Sequence, residues 1–250
     1  MNAKLFIGIL CIAAVTVVVF LVVKKKYVED DIFIEAVVSE EEEVDKTEDA
    51  KNINTCEMFK TLVNIQDIDS AIFVELKYAT VDNFTGVVLY ENLDIAYLQY
   101  DVALMLAEAH RYLKTLNPEL RFLVYDAVRP LSVQQIMWDR VKDTPFYRYI
   151  APPERLSLHN FGAAVDLTIA DSLGQPSDMG TPFDHFGRAA GISEEDLLIE
   201  QGILTQQQVQ NRQLLRKVMQ HAGFITISGE WWHFNACSLQ EAKERYTLVN

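Results

Sequence analysis

Two short polar clusters constrain this chain more than anything else in it, because their side chains do chemistry only if the fold brings them to one point. Ser228-Gly-Glu-Trp-Trp-His-Phe234 sets a carboxylate three residues before an imidazole within aromatic bulk. Ser157-Leu-His-Asn-Phe-Gly-Ala-Ala-Val-Asp-Leu-Thr168 sets His159 seven residues before Asp166, with Gly162 between them to let the backbone turn into the strand-like run Ala163 to Ile169. Taken singly, each cluster also fits ordinary structure: a Trp-Trp pair in a core strand, a satisfied core histidine, a turn carboxylate. Together, His159, Asp166 and His233 are two neutral nitrogens and one carboxylate. Three protein ligands that leave the fourth tetrahedral position to water are the pattern of a catalytic zinc, whereas structural sites close the shell, usually with several cysteines. Glu230 then stands as a proton acceptor, and Trp231 and Trp232 as a wall that limits bulk water. Residues three apart point to opposite faces of a regular strand, so the strand must end, twist or bulge between Glu230 and His233. Gly229 permits such a deviation.

The rest of the chain reads as mixed helices and strands around one core, for which 250 residues, half of them apolar, suffice. Ala71 to Tyr78 is strand-like, and Asn83-Phe-Thr-Gly86 closes it with turn chemistry. Apolar residues at 98, 102, 105, 106, 109 and 113 predict a helix from Tyr97 to Leu116, with His110 as a helix-surface residue beside that face. Arg121 to Tyr125 reads as a buried strand. Pro130 suits the first turn of a helix to Val141, which leaves Arg129 at a junction where a guanidinium can point over a site. Thr205-Gln-Gln-Gln208 is a capping box for a helix to Ala222, ended by Gly223, with His221 in a structural role in its last turn. Phe224 to Ser228 gives the final strand.

The N-terminal run Leu5 to Val23 has no charge and no proline and is long enough, at about nineteen residues, to cross a bilayer. It exceeds an h-region and lacks a small-x-small cleavage site, so residues 1–26 are expected to be an uncleaved transmembrane anchor. Flanking lysines (Lys4 against Lys24, Lys25 and Lys26) taken alone favour a cytoplasmic C-terminus. Residues 27–54 are acidic and glycine-free, include Glu40 to Glu43, and read as a disordered spacer, leaving 55–250 as the folded domain. The net charge of −14 argues against nucleic acid as a partner. Cys56 and Cys237 flank the domain, and a disulfide and two buried thiols both fit.

Five motifs stand in a telling order: Tyr78-Ala-Thr-Val-Asp-Asn-Phe-Thr-Gly86, Asp126-Ala-Val-Arg-Pro130, Ser157-x-His-x-x-Gly-x-Ala-x-Asp166, Met179-Gly-Thr-Pro-Phe-Asp184 and Glu230-Trp-Trp-His233. From about residue 57 to 235 the chain resembles the D-alanyl-D-alanine dipeptidases, the VanX-like zinc peptidases. The resemblance implies an α+β fold, a single catalytic domain with a central, mostly antiparallel sheet flanked by helices, of the zinc D,D-peptidase or hedgehog-like kind. It implies one Zn²⁺ per chain on His159, Asp166 and His233, with Glu230 as general base and Arg129 assisting catalysis. It places Tyr78 and Asp184 near the free ammonium of a small D,D-dipeptide substrate, with Ser157 a further contact. It also implies hydrolysis of D-Ala-D-Ala in cell-wall peptide metabolism, which favours the extracytoplasmic face for an anchored enzyme. Leu158, the pair Asn160-Phe161 and Phe234 depart from the commoner pattern and bear on dipeptide preference rather than on reaction class. Two other functions compete: a D,D- or L,D-carboxypeptidase acting on longer peptidoglycan stems, and an inactive wall-binding module. The Tyr78-to-Gly86 and Asp184 motifs argue against the first, and intact Glu230 and Arg129 against the second.

Overall fold

The computed structural model describes residues 62–250. In chain order its elements are β1 (Leu62–Asn64), α1 (Ile65–Ile68), β2 (Phe73–Val74), β3 (Tyr97–Gln99), α2 (Tyr100–Leu116), β4 (Arg121–Asp126), α3 (Leu131–Val141), β5 (Ala164–Ala170), α4 (Glu195–Glu200), α5 (Gln206–His221), β6 (Ile225–Thr226), β7 (His233–Asn235) and α6 (Leu239–Arg245). All seven residues of β5 are buried, as a near-continuous apolar run requires of a strand covered on both faces, and β5 sits at the centre of the sheet. The five-stranded order is β2-β4-β5-β7-β6, with β2 parallel to β4 and every other pair antiparallel. This is the expected α+β, mostly antiparallel arrangement. A separate two-stranded pairing joins β1 to β3.

Helix α2 packs an apolar stripe of Val102, Leu106, Ala109 and Leu113 into the core, and α5 adds Leu215, Val218 and Met219. Each fully buried leucine stabilises the fold by roughly 1.5–3 kcal/mol. The capping box of α5 forms as the sequence predicts: Gln208 N donates to Thr205 Oγ1 at 3.2 Å, and Thr205 N donates to Gln208 Oε1 at 2.8 Å. Gly223 follows at φ 94°, the left-handed conformation that ends helices.

Four local expectations are corrected. The strand predicted over Ala71 to Tyr78 shrinks to Phe73–Val74. Tyr78 instead lies in a 3₁₀ turn whose carbonyl accepts from both Leu89 N and Tyr90 N, at 2.8 and 2.9 Å, so the chain folds back there. The helix predicted from Tyr97 starts at Tyr100, because Tyr97–Gln99 pairs with β1. The final strand predicted over Phe224 to Ser228 is only Ile225–Thr226, and His233 arrives on its own strand, β7. His110 is structural but buried rather than on the helix surface, since the segment after α1 covers it and Asp69 Oδ2 lies 2.7 Å from its Nδ1.

Among the described residues no helix is long and apolar enough to cross a membrane. The expected anchor at Leu5 to Val23, the acidic segment 27–54 and Cys56 lie outside the described residues, and Cys237 is buried with no disulfide partner among the described residues.

Gly162 closes the turn ahead of β5 at φ 64°, and a Cβ there would meet Leu62 Cδ2 at 2.6 Å and the Gln99 backbone nitrogen at 3.3 Å. Gly162→Ala should therefore lower unfolding stability by about 1–3 kcal/mol in chemical denaturation; an unchanged midpoint would mean that the turn relaxes freely.

Candidate active site

Sheet register explains how two distant ligands meet. Asp166 on β5 is the direct antiparallel partner of His233 on β7 and, on its other side, of Asp126 on β4. Directly opposed residues share a sheet face about 5 Å apart, so the three side chains form a row across the sheet. The β4 register shifts between Val124 and Asp126, and that irregularity brings Asp126 into the row. His159 comes from the 3₁₀ turn Leu158–Phe161 just before β5. Ser157 caps this turn, its Oγ accepting from His159 N at 3.3 Å, while Asn160 Oδ1 accepts from Ser157 N at 2.7 Å.

The atoms that face each other are all acceptors. His159 Nε2 lies 3.2 Å from His233 Nδ1 and 3.4 Å from Asp166 Oδ1, and His233 Nδ1 lies 2.9 Å from the same oxygen. The opposite nitrogen of each ring is engaged: His159 Nδ1 with the Ala127 carbonyl at 2.7 Å, and His233 Nε2 with Asn235 Oδ1 at 2.7 Å. Carbonyl oxygens accept only, so each ring donates outward and turns its lone pair inward, as outer partners of metal-bound histidines do. Three lone pairs at these spacings repel unless a cation lies between them. Donors at tetrahedral angles on bonds of 2.0–2.1 Å stand about 3.3 Å apart, so the triangle has the size that zinc requires. Burial works against ionised Asp166, and a proton on a facing ring nitrogen, or a metal cation in its place, outweighs it and holds the carboxyl well below the usual range.

Beside the triangle lies a buried cation. Arg129 directs Nε and Nη2 to Asp126 Oδ2 at 2.9 and 2.5 Å and Nη1 to Gln134 Oε1 at 3.0 Å, and its Nη2 lies 3.6 Å from Asp166 Oδ2. Asp126 also accepts from the buried Tyr90 hydroxyl at 2.6 Å. The guanidinium is thus fixed at the strand-to-helix junction where the sequence puts it.

Asp184 occupies the left-handed region at φ 59°. Its Oδ1 accepts from the Tyr78 hydroxyl at 3.0 Å, while Oδ2 is buried with no hydrogen-bond partner among the described residues. Burial and the nearby charge of Asp166 push its carboxyl up to about 8. Glu230, in the loop before β7, is pushed up to about 7, first by burial and then by Asp166 and Asp184, against the opposing pull of His233 and Arg129.

Tyr78, Arg129, Ser157, His159, Asp166, Asp184, Glu230 and His233, all eight residues singled out in the sequence, line one cavity of about 270 Å³. That is just below the 300–1,000 Å³ of pockets for drug-sized ligands and suits a smaller molecule. Trp232 forms part of the wall; Trp231 lies behind it and donates Nε1–H to Thr181 Oγ1 at 2.8 Å. His221 stacks on Tyr112 and His185 does not line the cavity, so neither joins the cluster. Sequence reasoning missed Asp126, Asn235, Gln134 and Tyr90. The three-residue spacing from Asp126 to Arg129, and the two-residue spacing that puts Asn235 on the His233 face of its strand, were signals for two of them. Tyr90 left none.

A family model described as D-ala-D-ala dipeptidase matches residues 58–248. The chain belongs to this peptidase family. It is 33% identical over 173 residues to a D-alanyl-D-alanine dipeptidase of Escherichia coli (strain K12), covering 69% of this chain and 83% of that one. It is 32% identical over 177 residues to one from Synechocystis sp., covering 58% and 71%, and 32% identical over 178 residues to one from Enterococcus faecalis, covering 64% and 83%. The family assignment thus spans the cavity and both polar clusters of this dipeptidase-family chain.

Two outcomes follow from the geometry. Asn235→Ala frees the His233 tautomer and should weaken zinc binding about 10- to 100-fold in chelator competition; unaltered affinity would remove Asn235 from the site. Asp184 binds a proton more tightly folded than unfolded, so its contribution to stability is full below its ordinary range near 3.8 and is lost as pH rises through about 8. In metal-free protein, the stabilisation by Asp184→Asn should grow from pH 5 to pH 8, and a pH-independent difference in denaturation would refute the raised carboxyl.

Proposed function

We propose that the protein is a zinc-dependent dipeptidase that hydrolyses D-Ala-D-Ala to free D-Ala, with one zinc per chain. The observation that carries this reading is the charge imbalance of the cavity. Asp126, Asp166, Asp184 and Glu230 are four carboxyls gathered around one guanidinium, Arg129. Burial holds Asp184 and Glu230 toward the neutral form for want of a counter-charge, and a dication among the three facing acceptors together with an ammonium at Asp184 would let both ionise. The family supports the same substrate.

His159 Nε2, Asp166 and His233 Nδ1 would hold the zinc, which when bound would supply Lewis acidity for a carbonyl and lower the pKa of water to about 7. Glu230 takes the proton from the attacking water and delivers it to the departing amine nitrogen, the double role of a positioned carboxylate. A carboxyl pushed up to about 7 exchanges protons readily near neutrality. Arg129, held on Asp126 and Gln134, presents its remaining N–H donors to the oxyanion as charge develops, a contact whose loss typically lowers kcat about a hundred- to a thousandfold. Asp184 ionises against the substrate ammonium while the Tyr78 hydroxyl holds its other oxygen. Blocking that ammonium removes the partner and leaves a buried carboxyl unsatisfied, which favours a free dipeptide over a longer stem. An anchor at Leu5 to Val23 would hold this domain, on residues 55–250, at the wall side of a membrane, where it would act in cell-wall peptide metabolism.

The test compares D-Ala-D-Ala, L-Ala-L-Ala and N-acetyl-D-Ala-D-Ala with zinc and then with a chelator. Chelator-sensitive release of D-Ala from the free D,D-dipeptide alone is expected; cleavage of only the acylated substrate would make the protein a carboxypeptidase. Glu230→Gln should keep its zinc while kcat falls about a hundred- to ten-thousandfold. In the parent enzyme kcat, which reports the complex in which Asp184 is already paired with the ammonium, should decline on the acid side with an inflection at or below about 7, since the base works only when ionised. An acid limb that survives in the variant would exclude Glu230 as its source.

A further inference from the structure

Asp184 lies in an irregular segment between β5 and α4 and holds a left-handed conformation that is uncommon outside glycine, though aspartate adopts it more readily than most. One face of α5 holds the segment on both sides of it. Gln208 Nε2 donates to Asp178 Oδ2 and Asn211 Nδ2 to the Asp178 carbonyl, both at 2.8 Å. Arg212 donates Nε–H to the Met179 carbonyl at 2.6 Å, Nη2–H to the Ala189 carbonyl at 3.0 Å and Nη1–H to the Gly191 carbonyl at 3.4 Å. Positions 208, 211 and 212 fall on one helical face. Arg212 is fully buried, with Glu195 Oε1 3.7 Å from its Nη1. Its guanidinium also sits 5.9 Å from the centre of the Trp231 ring, beside the residue that carries the Glu230 carboxyl.

One side chain thus grips a carbonyl five residues before Asp184 and another five residues after it. Burying a guanidinium costs several kcal/mol, and an apolar residue of similar volume often packs as well. What the apolar residue would lack is the rigid fork of donors that fixes several carbonyls relative to one another.

We propose that Arg212 is a positioning residue: by clamping both stems of the Asp184 segment it keeps the Asp184 carboxyl in place on the cavity wall, and so sets affinity and selectivity for the free ammonium of the dipeptide. This rests on the dipeptidase reading above. Lysine keeps the charge but satisfies fewer carbonyls, so Arg212→Lys loosens the clamp without leaving an apolar hole.

The experiment measures kcat, KM and zinc content for the parent chain, Arg212→Lys, Asp184→Asn and the double variant, on free and N-acetylated D-Ala-D-Ala. Arg212→Lys should raise KM for the free dipeptide about tenfold, keep kcat within about threefold, retain its zinc and narrow the preference for free over acylated substrate. If Arg212 acts through Asp184, the double variant is no worse than Asp184→Asn alone. Additive losses, or a lowered kcat at constant KM, would overturn the proposal. Should Arg212→Lys fail to fold, Asn211→Ala at the half-buried first stem carries the test, with a KM rise of about twofold or more in support and an unchanged KM against. A parent chain that leaves free dipeptide uncut sinks the dipeptidase reading and this inference together, whereas normal turnover with additive variants sinks only the role of Arg212.

Discussion

The structure depends on one unfavourable contact that only a cation resolves: three acceptor atoms, from His159, Asp166 and His233, held within 3.4 Å of one another. Everything around them keeps them there. Cross-strand pairing fixes Asp166 against His233, a capped turn closed by Gly162 brings in His159, and outward hydrogen bonds to Ala127 and Asn235 turn both imidazole lone pairs inward. A site built to repel itself when empty is preorganised for a metal, because the reorganisation has been made during folding by the packing of β5 within the sheet.

The same logic extends outward. Asp184 and Glu230 are carboxyls that burial and neighbouring charge drive toward the neutral form, one up to about 8 and the other up to about 7. Their environments assign different work. In the proposed reaction Asp184, fastened by Tyr78 at a left-handed backbone position, would receive a fixed positive charge, while Glu230, on a loop beside the triangle, would move a proton. Arg129 stays charged because Asp126 lies against it, so a permanent cation is available where an oxyanion would form.

Chemistry was more legible in the sequence than shape. His159, Asp166, His233 and Glu230 announce themselves by residue type and spacing, since few other arrangements use a carboxylate and two imidazoles so close to a turn glycine. The long helices α2 and α5 were legible from apolar periodicity and, for α5, from its capping box, because local physics decides them. The short strands were not: β2, β6 and β7 are two or three residues each and exist through their partners. The residues that orient the site were also hidden. Asn235 and Gln134 look like surface polar residues until a partner arrives through tertiary structure, and Arg212 looks like an ordinary helix cation until the segment it clamps is folded against it.

The most direct measurement is X-ray absorption at the zinc edge of the purified chain, with metal content determined on the same sample. The account predicts one zinc per chain with two imidazole nitrogens and carboxylate or water oxygens at about 2.0–2.2 Å, and no sulfur. Loss of one imidazole shell in His159→Ala would follow from the same geometry. A sulfur-ligated metal, or a parent protein that folds and turns over dipeptide with no metal at all, would contradict the central claim that three facing acceptors are held together around a cation.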